Sequence, residues 1–170
     1  ALSFEKKIEE FPTLTKEQIE DLRKIYRSFD MESAKRIKEV ESETNHDVKA
    51  VEYYMLSAEQ GNDNAQRNLG YMFATGKGVP KDDKKALKWY LLSAEQGNAK
   101  AQNSVGNKYY QGKGTEKNYE EAVRWYKLAA NQGHTWGQHN LAGMYNDGKG
   151  VNVNFQEAVR LYKLAADKGN

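Results

Sequence analysis

The sequence predicts an all-α chain: an α-solenoid of helix-turn-helix repeats with a 36-residue period, preceded by N-terminal capping helices. Three observations predict it. The string Lys49-Ala50-Val51-Glu52-Tyr53-Tyr54…Ala58-Glu59-Gln60-Gly61-Asn62 returns 36 residues later as Lys85-Ala86-Leu87-Lys88-Trp89-Tyr90…Ala94-Glu95-Gln96-Gly97-Asn98. It returns again as Glu121-Ala122-Val123-Arg124-Trp125-Tyr126…Gly133-His134, and last over 157–170, with no insertion or deletion. A fixed period of this size marks a stack of identical supersecondary units. Second, Ala86, Tyr90 and Ala94 fall on one helical stripe, widened by Leu91 and copied by Ala122, Tyr126 and Ala130, as a helix packed along one face requires. Third, glycines recur in register wherever a helix should stop.

The elements follow in order. Residues 1–46 form a segment of their own, because the register carried back another 36 places puts Phe29, Ala34, Val40 and Ser42 where Ala65, Gly70, Gly76 and Gly78 belong. That segment still reads as helical. Leu14-Thr15-Lys16-Glu17-Gln18-Ile19 has the form of a hydrophobic staple around a capping box, with Thr15 as N-cap. Ile19, Leu22, Ile25 and Tyr26 give the helix after it an apolar face. A second helix near 31–43 is led by Asp30 and carries Met31, Ala34, Ile37 and Val40.

The repeat domain occupies 47–170: the second helix of a partial unit, then three full units. First helices are expected over about 63–75, 99–111 and 135–147, and second helices over about 47–60, 83–96, 119–132 and 155–168. Asp82, Asn118 and Asn154 stand just before second helices, where a short polar side chain can accept from an orphan N–H. Glu121 and Glu157 follow three residues on, close to a capping box. Gly61, Gly97, Gly133 and Gly169 close the second helices in the left-handed conformation. Gly76-Lys77-Gly78, Gly112-Lys113-Gly114 and Gly148-Lys149-Gly150 join the two helices of each unit. A phosphate-binding loop needs four residues between its glycines, a following hydroxyl and a preceding strand, so these glycines are expected to serve positive φ.

Composition excludes several classes. Of 170 residues, 29% are charged and 38% hydrophobic, as a thin solenoid with a narrow core requires. The 26 basic and 24 acidic side chains nearly cancel, to a net charge of +2, which is no nucleic-acid footprint. There is no cysteine, hence no disulfide and no thiolate metal site. No apolar run approaches the ~18 residues of a membrane span. Without a secretory signal at its start, the chain leans towards a cytoplasmic location.

The string Leu69-Gly70…Phe73…Gly76-Lys77-Gly78-Val79…Asp82…Lys85-Ala86…Trp89-Tyr90…Ala94-Glu95-Gln96-Gly97-Asn98 resembles the Sel-one-like repeat, a relative of the tetratricopeptide repeat, over about 49–170. The resemblance implies a right-handed solenoid that serves as an adaptor surface and has no enzymatic activity. Ala142 departs from the pattern where it has a helix glycine, Thr115 where it has valine and Leu161 where it has tryptophan.

The stretch from Arg36 to Tyr53, with Thr44-Asn45-His46-Asp47 inside it, resembles a segment near the start of bacterial-type adenylosuccinate lyases, over about 11–54. In that family the Thr-Asn-His-Asp element helps form the substrate site. The catalytic histidine region, the flexible serine loop and the central bundle that complete such a site are absent, so the reading is not an enzyme. Lys49 to Tyr54 fits both families; natural recombination or an engineered fusion at that hexapeptide accounts for it equally. The lyase-like helices would then cap the first repeat, as terminal units of a solenoid require. No matching cap follows the last repeat, which points either to a truncated domain boundary or to an end-to-end contact that hides Leu161 and Leu164.

No catalytic, cofactor or metal residues are expected. The three histidines are His46, His134 and His139; no pair has i, i+4 spacing with a carboxylate, as a zinc site would need. His134 falls where Asn62 and Asn98 stand and reads as a turn residue. If the units pack as in tetratricopeptide arrays, first helices line the concave face. That places Asn64, Arg67, Tyr71 and Thr75 there from the first unit. Lys100, Asn103, Asn107, Tyr110 and Gln111 follow from the second, and Trp136, His139, Asn146 and Asp147 from the third. These positions vary between units, as a binding surface would. Trp136 stands out, because its counterparts are Asn64 and Lys100 and exposed aromatics anchor interfaces. The expected role is a protein–protein interaction scaffold that binds a peptide or protein edge. Its alternatives are a lyase-related regulatory or oligomerisation module acting through residues 1–54, or a fusion in which the N-terminal segment has no function of its own.

Overall fold

In the computed structural model the chain divides between Asn45 and His46 into two units. The structure describes residues 46–167, together with Glu20, Lys24 and Ser42. The Thr15 cap, most of the two expected N-terminal helices and Gly169 lie outside the described residues.

Residues 46–167 form seven helices and contain no strand. Helix α1 covers 46–59. The others are α2 (Asp63–Thr75), α3 (Asp83–Glu95), α4 (Ala99–Gln111), α5 (Tyr119–Asn131), α6 (Thr135–Asp147) and α7 (Phe155–Asp167). The pairs α2/α3, α4/α5 and α6/α7 are units 1, 2 and 3. Within each unit the two helices pack together, and α3 and α5 also pack on the first helix of the following unit. The result is a helical-repeat solenoid.

The expected stripe is the core. Ala86, Tyr90 and Ala94 are buried, as are Ala122, Tyr126 and Ala130, and Leu69, Val105 and Leu141 meet them from the first helices. Burial raises the Tyr90 phenol to a pKa of about 12, because the charged form would lose its hydration. Gly106 lies so close to Tyr126 that a Cβ there would sit 2.5 Å from the ring.

The Gly-Lys-Gly loops do more than turn the chain. Gly78, Gly114 and Gly150 have φ of 67°, 80° and 66°, a region L side chains avoid. A Cβ at Gly114 would also overlap the Asp83 carbonyl at the start of α3. Gly78 meets Asp47 and Gly150 meets Tyr119 in the same way. Each loop therefore rests on the backbone that opens the second helix of the preceding unit.

Caps form as expected at three places and differ in detail. Asp82, Asn118 and Asn154 accept from the N–H groups of Lys85, Glu121 and Glu157 at 2.9, 3.0 and 3.0 Å. The reciprocal half of a capping box does not form. The N–H groups of Asp82, Asn118 and Asn154 donate instead to the carbonyls of Phe73, Tyr109 and Tyr145 in the preceding helix. Glu121 and Glu157 turn to Arg124 and Arg160, which holds the Glu157 carboxyl below the usual carboxylate range.

The expectation that Leu161 needs an outside contact is corrected. Leu161 is buried against the unit's own core, while Leu164, Phe155, Val159 and Tyr162 are exposed apolar side chains of α7. On α5 the counterparts Val123 and Tyr126 are buried and Tyr119 is half-buried, while Leu128, the counterpart of Leu164, is exposed.

Candidate functional site

The non-repeating positions of the first helices fall into three groups. Asn107, Tyr110 and His139 are brought together, with Gln111, Asn140, Asp147, Tyr126 and Tyr162, around a cleft of about 290 Å³ between α4, α6 and the second helices beside them. Arg67 and Tyr71 line another cleft with Asp47, Tyr54, Asn68 and Lys77. Asn64 and Lys100 are exposed near the starts of α2 and α4 and line neither.

Trp136 is 65% exposed. Its ring meets His139 edge-on at 5.9 Å, and His139 meets Tyr162 at 5.3 Å, giving an aromatic row at the side of the first cleft. Edge-to-face contacts of this kind orient rings at small cost. At the cleft's mouth Lys149 donates to Asp147 at 2.8 Å and to the Tyr110 hydroxyl at 3.3 Å, with its ammonium 5.6 Å above the Tyr110 ring. The Lys149 bond lowers the Asp147 pKa, and the same bond raises that of Lys149.

Asn103 belongs to the inside of the structure. It is 9% exposed and accepts from Asn140 at 2.9 Å across the boundary between units 2 and 3. Asn140 also donates to the Asn107 carbonyl oxygen at 3.3 Å, and the Tyr126 hydroxyl donates to that same oxygen at 2.7 Å. In the other cleft Arg67 donates to Asn68, and its Nε is buried without an acceptor among the described residues.

Sequence reasoning missed several residues. Gln66, Gln102 and Gln138 donate to the carbonyls of Ala58, Ala94 and Ala130 in the preceding unit. Gln96 and Gln132 in turn donate to Gln66 and Gln102 at 2.7 and 2.8 Å. All of these glutamines recur every 36 residues, so the signal was present. Asn62, Asn98 and His134 prove to be N-caps of the first helices, accepting from Ala65, Ala101 and Gly137. His134 uses Nδ1 for this at 3.1 Å, and burial lowers its pKa from 6.5. Lys108, buried where units 1 and 3 carry Met72 and Met144, pairs with Asp83 at 2.5 Å. That bond holds the Asp83 carboxyl below its usual range.

Among the described residues no cluster of three or more His, Asp or Glu could hold a metal, and no helix is long and apolar enough to cross a membrane. Stacked helix pairs with a varied first-helix face define a helical-repeat scaffold. The Sel1 repeat family model matches residues 44–62, 63–98, 99–134 and 137–170, and the chain belongs to that family, whose repeats generally serve protein interaction. It is 36% identical to c5321, a protective antigen of uropathogenic Escherichia coli strains with an SLR fold, covering 70% of this chain and 26% of that one at a TM-score of 0.69. It is 34% identical to a Sel1 repeat protein from Oxalobacter formigenes, covering 73% and 51% at a TM-score of 0.68. Cysteine rich protein B of Helicobacter pylori shares the fold, at 20% identity over 75% of this chain and 91% of that one, with a TM-score of 0.60. The chain thus spans about a quarter and about half of the first two. No curated protein matches it. The lyase-like stretch at 11–54 lies outside the described residues up to Asn45, apart from Glu20, Lys24 and Ser42; His46 to Tyr54 belong to α1.

Proposed function

We propose that the repeat array is a protein-interaction scaffold that docks an extended peptide or protein edge on a concave face formed by α2, α4 and α6. Tyr71, Tyr110, Trp136 and His139 act as anchors, and Arg67 and Lys100 steer acidic groups. The exposed apolar side chains of α7 offer a second contact, through which copies of the chain would self-associate. The observation that carries the reading is Trp136, a large aromatic held by His139 yet mostly open to water. No core position demands a tryptophan there, and such anchors contribute disproportionately to binding.

Affinity capture with the full chain, run beside a Trp136→Ala, Tyr110→Ala double variant of unchanged helical content, tests this. A protein retained by the parent and lost by the variant supports the scaffold. An identical catch from both would sink the assignment of this face.

A further inference from the structure

We infer that Asn107 and Asn140 form a clamp for one main-chain amide of an extended polypeptide, a proposal that rests on the first-helix face being the docking surface. It comes from hydrogen-bond accounting. A carboxamide offers two N–H donors and an oxygen with two lone pairs. The Asn107 oxygen is filled by the Tyr126 hydroxyl at 2.7 Å and the Asn140 amide at 3.3 Å. The Asn140 amide spends its donors on Asn103 at 2.9 Å and on Asn107. What is left is the NH₂ group of Asn107 and the carbonyl oxygen of Asn140. Neither has a protein partner among the described residues, and both residues line the cleft.

The pair cannot easily turn over. Flipping Asn107 alone would set its NH₂ against the Asn140 NH₂, at the 3.3 Å now bridged by a hydrogen bond. Two adjacent groups are therefore held as one donor beside one acceptor. A peptide unit presents the complement, a C=O and an N–H. A carboxylate would satisfy Asn107 but face the Asn140 oxygen and Asp147, and an ammonium would meet the Asn107 donors. The neutral amide is the group that fits both.

Tyr110, Tyr162 and His139 stand beside the pair and would take the side chain of the held residue. The clamp is single: at the boundary between units 1 and 2 the counterparts of Asn107 and Asn140 are Tyr71 and Ser104, which cannot make this pairing.

The test starts by panning a random dodecapeptide library on the full wild-type chain and measuring the tightest binder by calorimetry. Its backbone is then N-methylated one residue at a time. Asn107→Asp keeps shape and the acceptor for Tyr126 but removes the free donor. It should weaken binding about tenfold, the worth of one hydrogen bond, with an unchanged thermal midpoint. One N-methyl position should cost the wild type a similar factor and cost the Asp variant the same again, because the N–H it removes pairs with the Asn140 oxygen, which that variant keeps.

If Asn107→Asp binds as the parent while Trp136→Ala, Tyr110→Ala does not, the clamp is wrong and the docking face stands. Loss on replacing only a glutamine or asparagine side chain of the peptide would show a side-chain carboxamide in the cleft and overturn the main-chain assignment. A library that yields no binder sensitive to any of these variants overturns both readings.

Discussion

The boundary between units 1 and 2 and the boundary between units 2 and 3 are built on one plan and tied by different chemistry. Both have the glutamine ladder and a loop glycine seated on the preceding helix. At the first boundary Lys108 pairs with Asp83, and Asn98 donates to Asp63 and Asn64. At the second, Met144 and Tyr119 occupy the places of Lys108 and Asp83. The ties there run from the Asn140 carboxamide to Asn103 and Asn107 and from Lys149 to the Tyr110 hydroxyl. The capping residue differs too, with Asn98 at one boundary and His134 at the other. The shared parts set the stacking, and the unshared pairs distinguish one neighbour from another.

The shared part should break hardest. Gly114→Val and Gly150→Val each force a side chain into positive φ and into backbone. Each should cost about 3 kcal/mol or more, and similarly at both boundaries by urea denaturation. A Gly150 variant as stable as the parent would remove the loop seat from the shared plan.

The ionic tie comes next. Asp83→Ala strands a buried ammonium and should cost about 2 kcal/mol, discounted because Asp83 is partly exposed. Lys108→Met, which installs the residue of the other units, should stay within about 1 kcal/mol. Equal losses from the two would show that the pair, rather than the unpaired charge, carries the energy. Asn140→Ser, copying Ser104, should cost about 1 kcal/mol. It should leave the response to Asp83→Ala unchanged if the boundaries are independent, which a double-mutant cycle reads directly.

The smallest effect is a pH dependence below pH 6.5 that the His134 cap adds at the second boundary. The His134 cap needs Nδ1 unprotonated, and its folded pKa lies below 6.5. Its contribution is therefore full above about pH 6.5 and is lost as the pH falls through the folded pKa. His134→Asn should abolish that slope, seen as a difference in melting temperature between parent and variant below pH 6.5. The difference should be of order 0.5–1 kcal/mol, the worth of a cap.

Much of this was legible in the sequence, and for a definite reason. Helix bounds, the Asp82, Asn118 and Asn154 caps and the glycine loops repeat, and repetition separates a structural demand from chance. The Asp83–Lys108 pair and the Asn140 ties join residues 25 to 37 positions apart, and they occur once. Non-repeating positions were read as binding positions, and Asn103 shows the weakness of that rule. A residue also varies when it ties one unit to a particular neighbour. Exposure separates the two cases, since Trp136 is open and Asn103 is covered.

The loop that rests on the first turn of the preceding helix touches main-chain atoms of Asp47, Asp83 and Tyr119, so aspartate and tyrosine serve alike at one register. The socket is therefore blind to sequence. A duplicated unit would carry both its own plug and a socket for its successor. Such a chain can lengthen by whole units without redesigning any junction, and can then specialise each junction by side chains alone.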